Sequence, residues 1–448
     1  MSLVPDNGTV KRALSVHAAI GLVAGALLYL VSLSGAVAVF YQEWQRIEQL
    51  DAPEMTRIDP AAVQRGVEAV LASEKGKPST THLYVHLPVE PLPRTTVTTD
   101  TQAVHLDAAG NIAAPEEVSW SDFLVELHYT LNLPAIAGLT LVGGLGVMML
   151  ALSLSGVVAH PRIFRDAFRL RARDTGGLGL ADWHSRLSVW TLPFTLAIAF
   201  TGALIGMAYV TAYGMATTSY GGDLEAVYAP IFGGEGKPDK TPAPAPNIVA
   251  ALDYMRANHP DADLTYVTLH DPGTAGQHIQ LLGEHKRRLV FGEYYTFDAA
   301  GRFHETAGLA NGTLGQQAAA SNYRLHFGNF GGMPVKIAYF VFGLVLTGIC
   351  ATGTYIWLGK RERRGVHEPR LRAVWDAVVW GSPLLLAVTF IMRKMIGNGA
   401  PLVLAFWLGM SVLVGLALVV TGRNVLARAL KVALVIALLL VGALILFA

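Results

Sequence analysis

The chain has 448 residues, of which 52% are hydrophobic and only 15% are charged, and its formal net charge is +1. Soluble domains carry roughly 25% charged residues, so this composition indicates a membrane protein, and the near-neutral charge argues against a nucleic-acid partner. The single cysteine, Cys350, excludes an intramolecular disulfide and any site built on a CxxC pair.

Apolar runs of about 20 residues predict seven membrane spans, so the lipid bilayer is the first predicted partner. The first run lacks a signal-peptide cleavage pattern and is too long for a signal peptide, which favours a retained signal anchor. The predicted spans are residues 14–40, 134–158, 186–213, 334–358, 374–392, 401–421 and 425–447.

Basic residues predict the orientation of the spans. They cluster before the first span and in the loops at 159–185, 359–373 and 422–431, all on one side if each span crosses once. Loops rich in Lys and Arg stay in the cytoplasm. The N-terminus is therefore expected inside, and the long polar segments at 41–133 and 214–333 are expected outside.

The two outer segments share one pattern. Residues 55–115 and 245–310 each contain a helix-like stretch followed by alternating strand-like runs. Each segment then ends on an Asp-x-x-Gly turn, at Asp107 and at Asp298. Each is predicted to be a small α+β domain.

Spacing suggests that the first 358 residues are a tandem repeat. Gly35 follows His17 by 18 residues, and Gly202 follows His184 by 18 residues as well. Two parallel copies predict a pseudo-two-fold axis along the membrane normal, in an all-α membrane bundle that carries two outer α+β domains. The predicted segments are 10–41 (first span), 55–115 (first outer domain), 134–158 (second span), 159–185 (basic loop), 186–213 (third span), 245–310 (second outer domain), 334–358 (fourth span) and 374–447 (three further helices).

Four histidines at membrane boundaries are the main candidate site residues. His17 and His184 lie on the cytoplasmic side, and His128 and His326 lie on the outer side. A two-fold axis brings each pair face to face, and two opposed neutral imidazoles are the axial ligands of a six-coordinate haem iron. Two haems, one near each face, are therefore predicted. A single boundary histidine is equally explained by a polar ring in the headgroup region, but two repeat-related pairs favour ligation.

Further candidates surround the inner pair. His160 has no partner in the repeat and is either an alternative haem ligand or a contact for a haem propionate. Arg162, Arg165 and Arg186 are candidate partners for propionates, although the positive-inside rule explains basic residues here as well.

Four stretches together resemble the PepSY-associated transmembrane helix family of iron-regulated bacterial inner-membrane proteins, and the outer segments resemble its periplasmic PepSY domains. The resemblance covers about residues 10–365. Thr195 departs from it, because many relatives carry a further polar or histidine residue after the LPF of the third span. The three C-terminal spans also exceed the minimal four-span unit. The stretches are SVHAAIGLVAGALLYLVSLSGAV, SGVVAHPRIFRDAF, ADWHSRLSVWTLPFTLAIAFTGAL and LHFGNFGGMPVKIAYFVFGLVLTGICATGTYIW.

The family includes haem-containing ferric-siderophore reductases. The resemblance therefore implies an oxidoreductase with two non-covalent haem b groups on His17, His184, His128 and His326, acting on periplasmic ferric siderophore. Siderophores hold Fe(III) more tightly than Fe(II) because hard oxygen ligands favour the harder ion, so one electron suffices to release the metal.

The sequence is compatible with more than one electron donor and with two competing functions. No nicotinamide fingerprint is present, so the electron donor is expected to be a quinol or a separate cytoplasmic reductase. A non-enzymatic membrane sensor or regulator and a transporter accessory in iron uptake are the competing functions. Aromatic residues near the outer mouth are candidate substrate contacts, although an interfacial aromatic belt explains them equally well. They are Trp120, Tyr129, Tyr323 and Phe327.

Overall fold

The computed structural model describes residues 6–164, 178–232, 239–285, 289, 292–308, 312–419 and 425–447. The chain forms two compact units, which we call the helical unit and the sheet unit. The helical unit is Met1–Tyr41, Ser119–Met207 and His326–Ala448, and the sheet unit is Gln42–Val118 and Ala208–Leu325.

Helices and strands alternate along the chain in two similar stretches before three final helices. The elements are α1 (Asn7–Ala38), α2 (Tyr41–Glu48), α3 (Pro60–Ser73), β1 (His82–His86), β2 (Thr95–Thr98), β3 (Ala103–Leu106), β4 (Ile112–Pro115), α4 (Ser119–Tyr129), α5 (Ala135–Ala159), α6 (Leu178–Trp190), α7 (Leu192–Gly206), α8 (Ala208–Ser219), α9 (Glu225–Phe232), α10 (Ile248–Asn258), β5 (Ala262–His270), β6 (His278–His285), β7 (Glu293–Phe297), β8 (Phe303–Gly308), α11 (Leu314–Phe327), α12 (Gly332–Glu362), α13 (Pro369–Ile396), α14 (Leu402–Val419) and α15 (Val425–Leu446).

Long apolar helices make the chain a membrane protein. Within the described residues, α1, α5, α12, α13, α14 and α15 are long and apolar enough to cross a bilayer. The bent pair α6 and α7 makes a seventh crossing if it is counted as one span. The prediction of about seven spans agrees with this range of six to seven.

The third predicted span is corrected by the structure. The sequence predicts one span over 186–213, but α6 already begins at Leu178, and α6 and α7 meet at an angle of 68°. Thr191 lies at the break, and Pro193 follows in the first turn of α7. Proline lacks a backbone N–H donor and clashes with the preceding turn, so it is tolerated there but cannot continue a helix from before the break.

Hydrogen bonds tie the C-terminal helices to the preceding ones. The Tyr29 hydroxyl on α1 donates to the Val379 carbonyl of α13 at 2.7 Å. The Trp375 indole on α13 donates to the Ala351 carbonyl of α12 at 3.0 Å. A buried tyrosine or tryptophan needs such a partner, so α13 is fixed against both α1 and α12.

The sheet unit corrects the expectation of two separate outer domains. Its eight strands form one sheet in the order β4-β3-β2-β1-β5-β6-β7-β8. β1 and β5 join the halves as antiparallel neighbours, with Leu83 opposite Leu269 and Val85 opposite Val267. Each would be an edge strand in an isolated four-stranded half, and an edge strand readily pairs with another edge. One apolar core, which includes Val63, lies beneath both halves.

The Asp-x-x-Gly turns have the same geometry in the two halves. Oδ1 of Asp107 accepts the backbone N–H groups of Ala109 and Asn111, and Asp298 makes the equivalent bonds. The glycines Gly110 and Gly301 have φ of +85° and +78°. A Cβ on Gly110 would lie 2.1 Å from the Ala62 carbonyl oxygen of α3, so only glycine fits where this turn meets the helix.

Several histidines of the sheet are partly or fully buried. His105 is hydrogen bonded to Thr96 Oγ1 and Gln49 Oε1 at 3.0 and 3.1 Å. The ring of His270 lies 4.9 Å from that of His82 and 4.2 Å from that of His278, measured between centroids. Burial, with the neighbouring histidines His278 and His82, lowers the pKa of His270 to about 3. Burial also lowers the pKa of His105 to about 4.

Substituting alanine for Gly110 should destabilise the sheet unit by about 1–3 kcal/mol, because a positive φ and a blocked Cβ position act together. Gly76→Ala is the matched control, since Gly76 also has a positive φ of +89° but faces open space. Thermal unfolding followed by the β-sheet circular dichroism signal measures the effect. Equal losses in the two variants would show that the contact with Ala62 contributes nothing.

The sheet should lose stability as the pH falls below about 6.5. An unfolded histidine titrates near 6.5, and His270 titrates at about 3 when folded, so the unfolded chain binds protons first. The contribution is fully present above pH 6.5 and is reduced by about 2 kcal/mol per such histidine at pH 5. Melting temperatures at pH 7.5 and 5 test this. His270→Gln should flatten the dependence, whereas His304→Gln, at an exposed position on β8, should leave it steep.

Candidate functional site

The structure brings the four boundary histidines together in the two predicted pairs. His17 on α1 and His184 on α6 have ring centroids 6.3 Å apart. His128 on α4 and His326 on α11 have ring centroids 6.0 Å apart. The two pairs are associated with opposite ends of α1, because His17 lies near its start and His128 packs near its end.

These separations match two imidazoles on opposite sides of one metal ion. A metal–imidazole bond is about 2.0 Å long and the bonding nitrogen lies about 1.1 Å from its ring centroid, so two axial rings have centroids about 6 Å apart. The planes of the rings are inclined at 85° in the inner pair, His17 with His184, and at 27° in the outer pair, His128 with His326. Opposed axial ligation leaves this angle free.

Backbone carbonyls fix the tautomer of one histidine in each pair. Nδ1 of His17 lies 3.0 Å from the Leu152 carbonyl oxygen, and Nδ1 of His128 lies 2.9 Å from the Val31 carbonyl oxygen. A carbonyl oxygen can only accept, so Nδ1 carries the proton and Nε2 keeps its lone pair. Metal-binding histidines show the same arrangement, in which the second nitrogen donates to a fixed acceptor.

Threonine hydroxyls hold the other two histidines. Nδ1 of His184 is 2.9 Å from Thr352 Oγ1, and Nδ1 of His326 is 3.0 Å from Thr201 Oγ1. Each hydroxyl also donates to a carbonyl one turn back in its own helix. Its oxygen is therefore the acceptor of the hydrogen bond that the Nδ1–H group donates. All four histidines therefore present an unprotonated Nε2.

A glycine lies against each of the four rings. A Cβ added to Gly35 would lie 2.5 Å from Cε1 of His128, and one added to Gly202 would lie 2.9 Å from Cε1 of His326. Gly156 and Gly353 contact His17 and His184 in the same way, at 3.3 and 3.5 Å. In each case the residue before the glycine is Ser or Thr. We call these four dipeptides the shelves: Ser34-Gly35, Ser155-Gly156, Thr201-Gly202 and Thr352-Gly353.

The Ser and Thr hydroxyls of the shelves are contacts that were not predicted from the sequence. Glycines on the spans, Gly35, Gly202 and Gly353 among them, predict room for a flat macrocycle or for close helix contact, but no role was assigned to the hydroxyls. The available signal was the recurrence of a Ser-Gly or Thr-Gly dipeptide in each of the four helices of the predicted repeat, once in α1, α5 and α7 and twice in α12, at Thr347-Gly348 and Thr352-Gly353.

Each histidine pair borders its own cavity in the helical unit. The inner cavity has a volume of about 400 Å³ and the outer cavity one of about 550 Å³, both within the usual range for bound cofactors. Leu28, Met149 and Leu346 line both cavities. We call these three side chains the partition, because they lie where the two cavities meet.

The structure describes two of the three arginines that are predicted to contact haem propionates. Arg186 is not among the described residues that line the inner cavity, and its guanidinium pairs with Asp182 at 3.5 Å, one turn away on α6. Its contact with a propionate stays a prediction. Arg162 is exposed, and Arg165 lies outside the described residues. Among the described residues, the Lys or Arg side chain that lines the inner cavity is Lys360, which was not predicted from the sequence.

His160 lines the inner cavity but is exposed at the end of α5. It does not belong to either opposed pair. Its position is compatible with contact to a group at the cavity mouth, and the structure gives no geometric reason to prefer it over His17 or His184 as a ligand.

Two of the four aromatic residues that are predicted to contact substrate line the outer cavity. Tyr129 and Phe327 line the outer cavity, and the Phe327 ring lies 5.9 Å from that of His326. Trp120 is a correction, because it is 3% exposed and its indole donates to Thr389 Oγ1 at 3.1 Å. It packs between helices and leaves no surface for a substrate. Tyr323 belongs to the sheet unit.

The donor set fits a haem better than a bare metal ion. Among the described residues, no group of three or more His, Cys, Asp or Glu side chains could hold a metal ion. Each pair supplies two neutral imidazoles, and a porphyrin would supply the remaining four ligands of a six-coordinate iron. The residues present therefore fit two axially ligated haems.

Comparison with known proteins agrees with the fold and names a family. A protein of Pseudomonas aeruginosa described as uncharacterised is 28% identical over 263 residues, which is 54% of this chain and 64% of that relative. The chain thus spans less than two thirds of the relative's length. The family model described as the PepSY-associated TM region matches residues 14–360. The chain therefore belongs to the PepSY-associated transmembrane family.

Proposed function

We propose that this protein is a di-haem b reductase of the bacterial inner membrane that transfers electrons across the bilayer to ferric siderophore in the periplasm and releases Fe(II). The observation that carries the proposal is the pair of opposed histidine sets. Each set has a centroid separation near 6 Å, an unprotonated Nε2 and an adjoining cavity.

The shelves support a tandem repeat within this proposal. Gly35 and Gly202 lie against the two outer histidines, and Gly156 and Gly353 lie against the two inner ones. Corresponding glycines thus make corresponding contacts in the two predicted copies, which supports a pseudo-two-fold axis between them. The excess of Lys and Arg at the α12 end supports a cytoplasmic N-terminus and a periplasmic sheet unit.

The residues of the chain have defined roles in this mechanism. Bound at the two pairs, haem supplies reversible one-electron chemistry at iron. The four histidines would hold the haem iron through Nε2, and the hydrogen bond from Nδ1 would fix each ring and raise its basicity. The shelf glycines let the rings lie close to the neighbouring helices.

The electron balance is simple. One electron converts one Fe(III)–siderophore to Fe(II)–siderophore. The siderophore binds Fe(II) more weakly than Fe(III), because the softer ion has a lower preference for oxygen ligands. A quinol that loses two electrons and two protons on the cytoplasmic side would serve two ferric ions. A cytoplasmic reductase is the other donor class. Tyr129 and Phe327, at the outer cavity, are the candidate substrate contacts.

The competing functions predict a different protein. A non-enzymatic PepSY sensor or regulator, or a transporter accessory in iron uptake, needs no chromophore and no paired histidines. The structure offers no observation that favours either of them over the reductase.

Replacing one histidine should remove one haem and spare the other. The purified protein should show a b-type reduced-minus-oxidised spectrum with two haems per chain. His17→Ala or His184→Ala should halve the haem content by removing the inner haem, and His128→Ala or His326→Ala should remove the outer one, because each iron loses one of its two protein ligands. Extracted haem per chain and the spectrum measure this.

His304→Ala is the control, because His304 is an exposed histidine of the sheet unit. Full haem content in all four variants, or the same haem missing from both sets, refutes the pairing. Absence of any b-type signal from the wild-type protein refutes the reductase.

Removing the hydroxyl of a shelf should weaken haem binding without changing helix shape. Thr201→Val and Thr352→Val delete the acceptor for Nδ1 of His326 and His184, and loss of such a partner typically costs 10–100-fold in affinity for the metal. Haem transfer to excess apomyoglobin measures the affinity. Thr140→Val is the control, because Thr140 also bonds the carbonyl one turn back but is exposed. Equal transfer from all three variants contradicts the role of the shelves.

A further inference from the structure

A third cavity in the helical unit is lined by basic residues and is distinct from the histidine cavities. It has a volume of about 520 Å³ and lies among α12, α13 and α15, with a contribution from α6. Its four cationic side chains come from α13, from α15 and from the residue that follows α12. They are Arg363, Arg372, Arg428 and Lys431.

The charges of this cavity are poorly compensated by protein carboxylates. Within the described part of the chain, Arg372, Arg428 and Lys431 form no ion pair within 4.0 Å. Arg372 lies over the Tyr355 ring at 5.7 Å, and Lys431 lies over the Trp380 ring at 4.5 Å. Cation–π contacts hold these side chains in place but leave their positive charge unneutralised.

The cavity has one acidic lining residue among the residues described, Asp376. It is 8% exposed and accepts a hydrogen bond from the Tyr355 hydroxyl at 2.6 Å. One buried carboxylate cannot balance Arg372, Arg428 and Lys431. Even without Arg363 the lining carries an excess of about two positive charges, which favours an anionic occupant.

The position of the cavity indicates the source of the anion. Arg363 follows the end of membrane helix α12, Arg372 lies in the first turn of α13, and Arg428 and Lys431 lie near the start of α15. All three positions are at helix ends next to basic loops, the level at which lipid headgroups lie. Basic pockets between membrane helices on the cytoplasmic side bind anionic lipid headgroups.

We propose that this cavity binds the phosphate group of an anionic phospholipid. Guanidinium and ammonium groups are the side chains that recognise phosphate, and the aromatic rings keep two of them aimed at one site. The family match ends at residue 360, whereas all four cations lie beyond it. The site is therefore a property of the C-terminal helices, for which the family resemblance assigns no role.

An occupant here would join the C-terminal helices to the histidine core. Tyr355, Ile356 and Gly359 of α12 line the basic cavity, and Ile356 also lines the inner histidine cavity. Helix α12 thus contributes to both the basic cavity and the inner histidine cavity. A bound phosphate would neutralise the mutual repulsion of charges on α12, α13 and α15 and hold these helices together.

Lipid-dependent thermal stability of the full chain tests the proposal without using reductase activity. Delipidated protein in detergent is melted with phosphatidylglycerol, with phosphatidylcholine or with inorganic phosphate. Phosphatidylglycerol should raise the melting temperature by about 2–4 °C through linkage, and phosphatidylcholine should not. Arg428→Gln combined with Lys431→Gln should abolish the shift. Lys11→Gln combined with Arg364→Gln removes the same charge from exposed residues outside the cavity and should retain it.

Lipid retention measured by native mass spectrometry gives a second readout that does not depend on unfolding. Retained phosphatidylglycerol should be lost from the cavity variant and kept by the control variant. An equal shift with inorganic phosphate supports the phosphate site but assigns it to a soluble ligand. The proposal is overturned if both double variants respond equally to phosphatidylglycerol, or if phosphatidylcholine stabilises the wild-type protein as strongly.

Discussion

An imidazole placed among apolar helices must have its N–H group hydrogen bonded, because a buried unpaired donor costs about 1–3 kcal/mol. All four boundary histidines meet this requirement through Nδ1, with acceptors supplied by a neighbouring helix. The same four neighbouring helices carry glycine where the ring lies. The requirement therefore sets which helices are adjacent and how they are rotated, and it leaves Nε2 as the one ring nitrogen available for ligation. The helix packing and the cavities follow from it.

The pairing of the histidines was predictable because it rests on spacing. The distances from His17 to Gly35 and from His184 to Gly202 are equal along the chain, which predicts that the two stretches are corresponding copies of one repeat. The Ser-Gly and Thr-Gly dipeptides can be found in the sequence, but the role of their hydroxyls depends on where the histidine rings lie in the structure. Side-chain direction was less predictable. The Arg186 guanidinium pairs with Asp182 one turn away, and the Trp120 indole donates to Thr389 of a neighbouring helix.

The joining of the sheet halves could not be predicted from pattern. Alternating residues identified the strands, and the Asp107 and Asp298 turns identified the hairpins. Which edge strand pairs with which other edge is decided by tertiary contacts, and any open edge satisfies the same backbone hydrogen bonds. The bend at Thr191 has a similar origin. A proline in the first turn of a helix is compatible with a new helix that runs on almost straight or at a steep angle, so the angle depends on how α6 and α7 pack.

The partition between the two cavities has an energetic consequence for the proposed reductase. Leu28, Met149 and Leu346 offer no group that can bind or pass a proton. An electron that crosses there travels without a compensating positive charge, so each transfer moves one net negative charge outward. A membrane that is negative inside favours this movement by about 2.3 kcal/mol per 100 mV. Three apolar side chains would thus make iron release electrogenic, and the voltage across the membrane would contribute to its driving force.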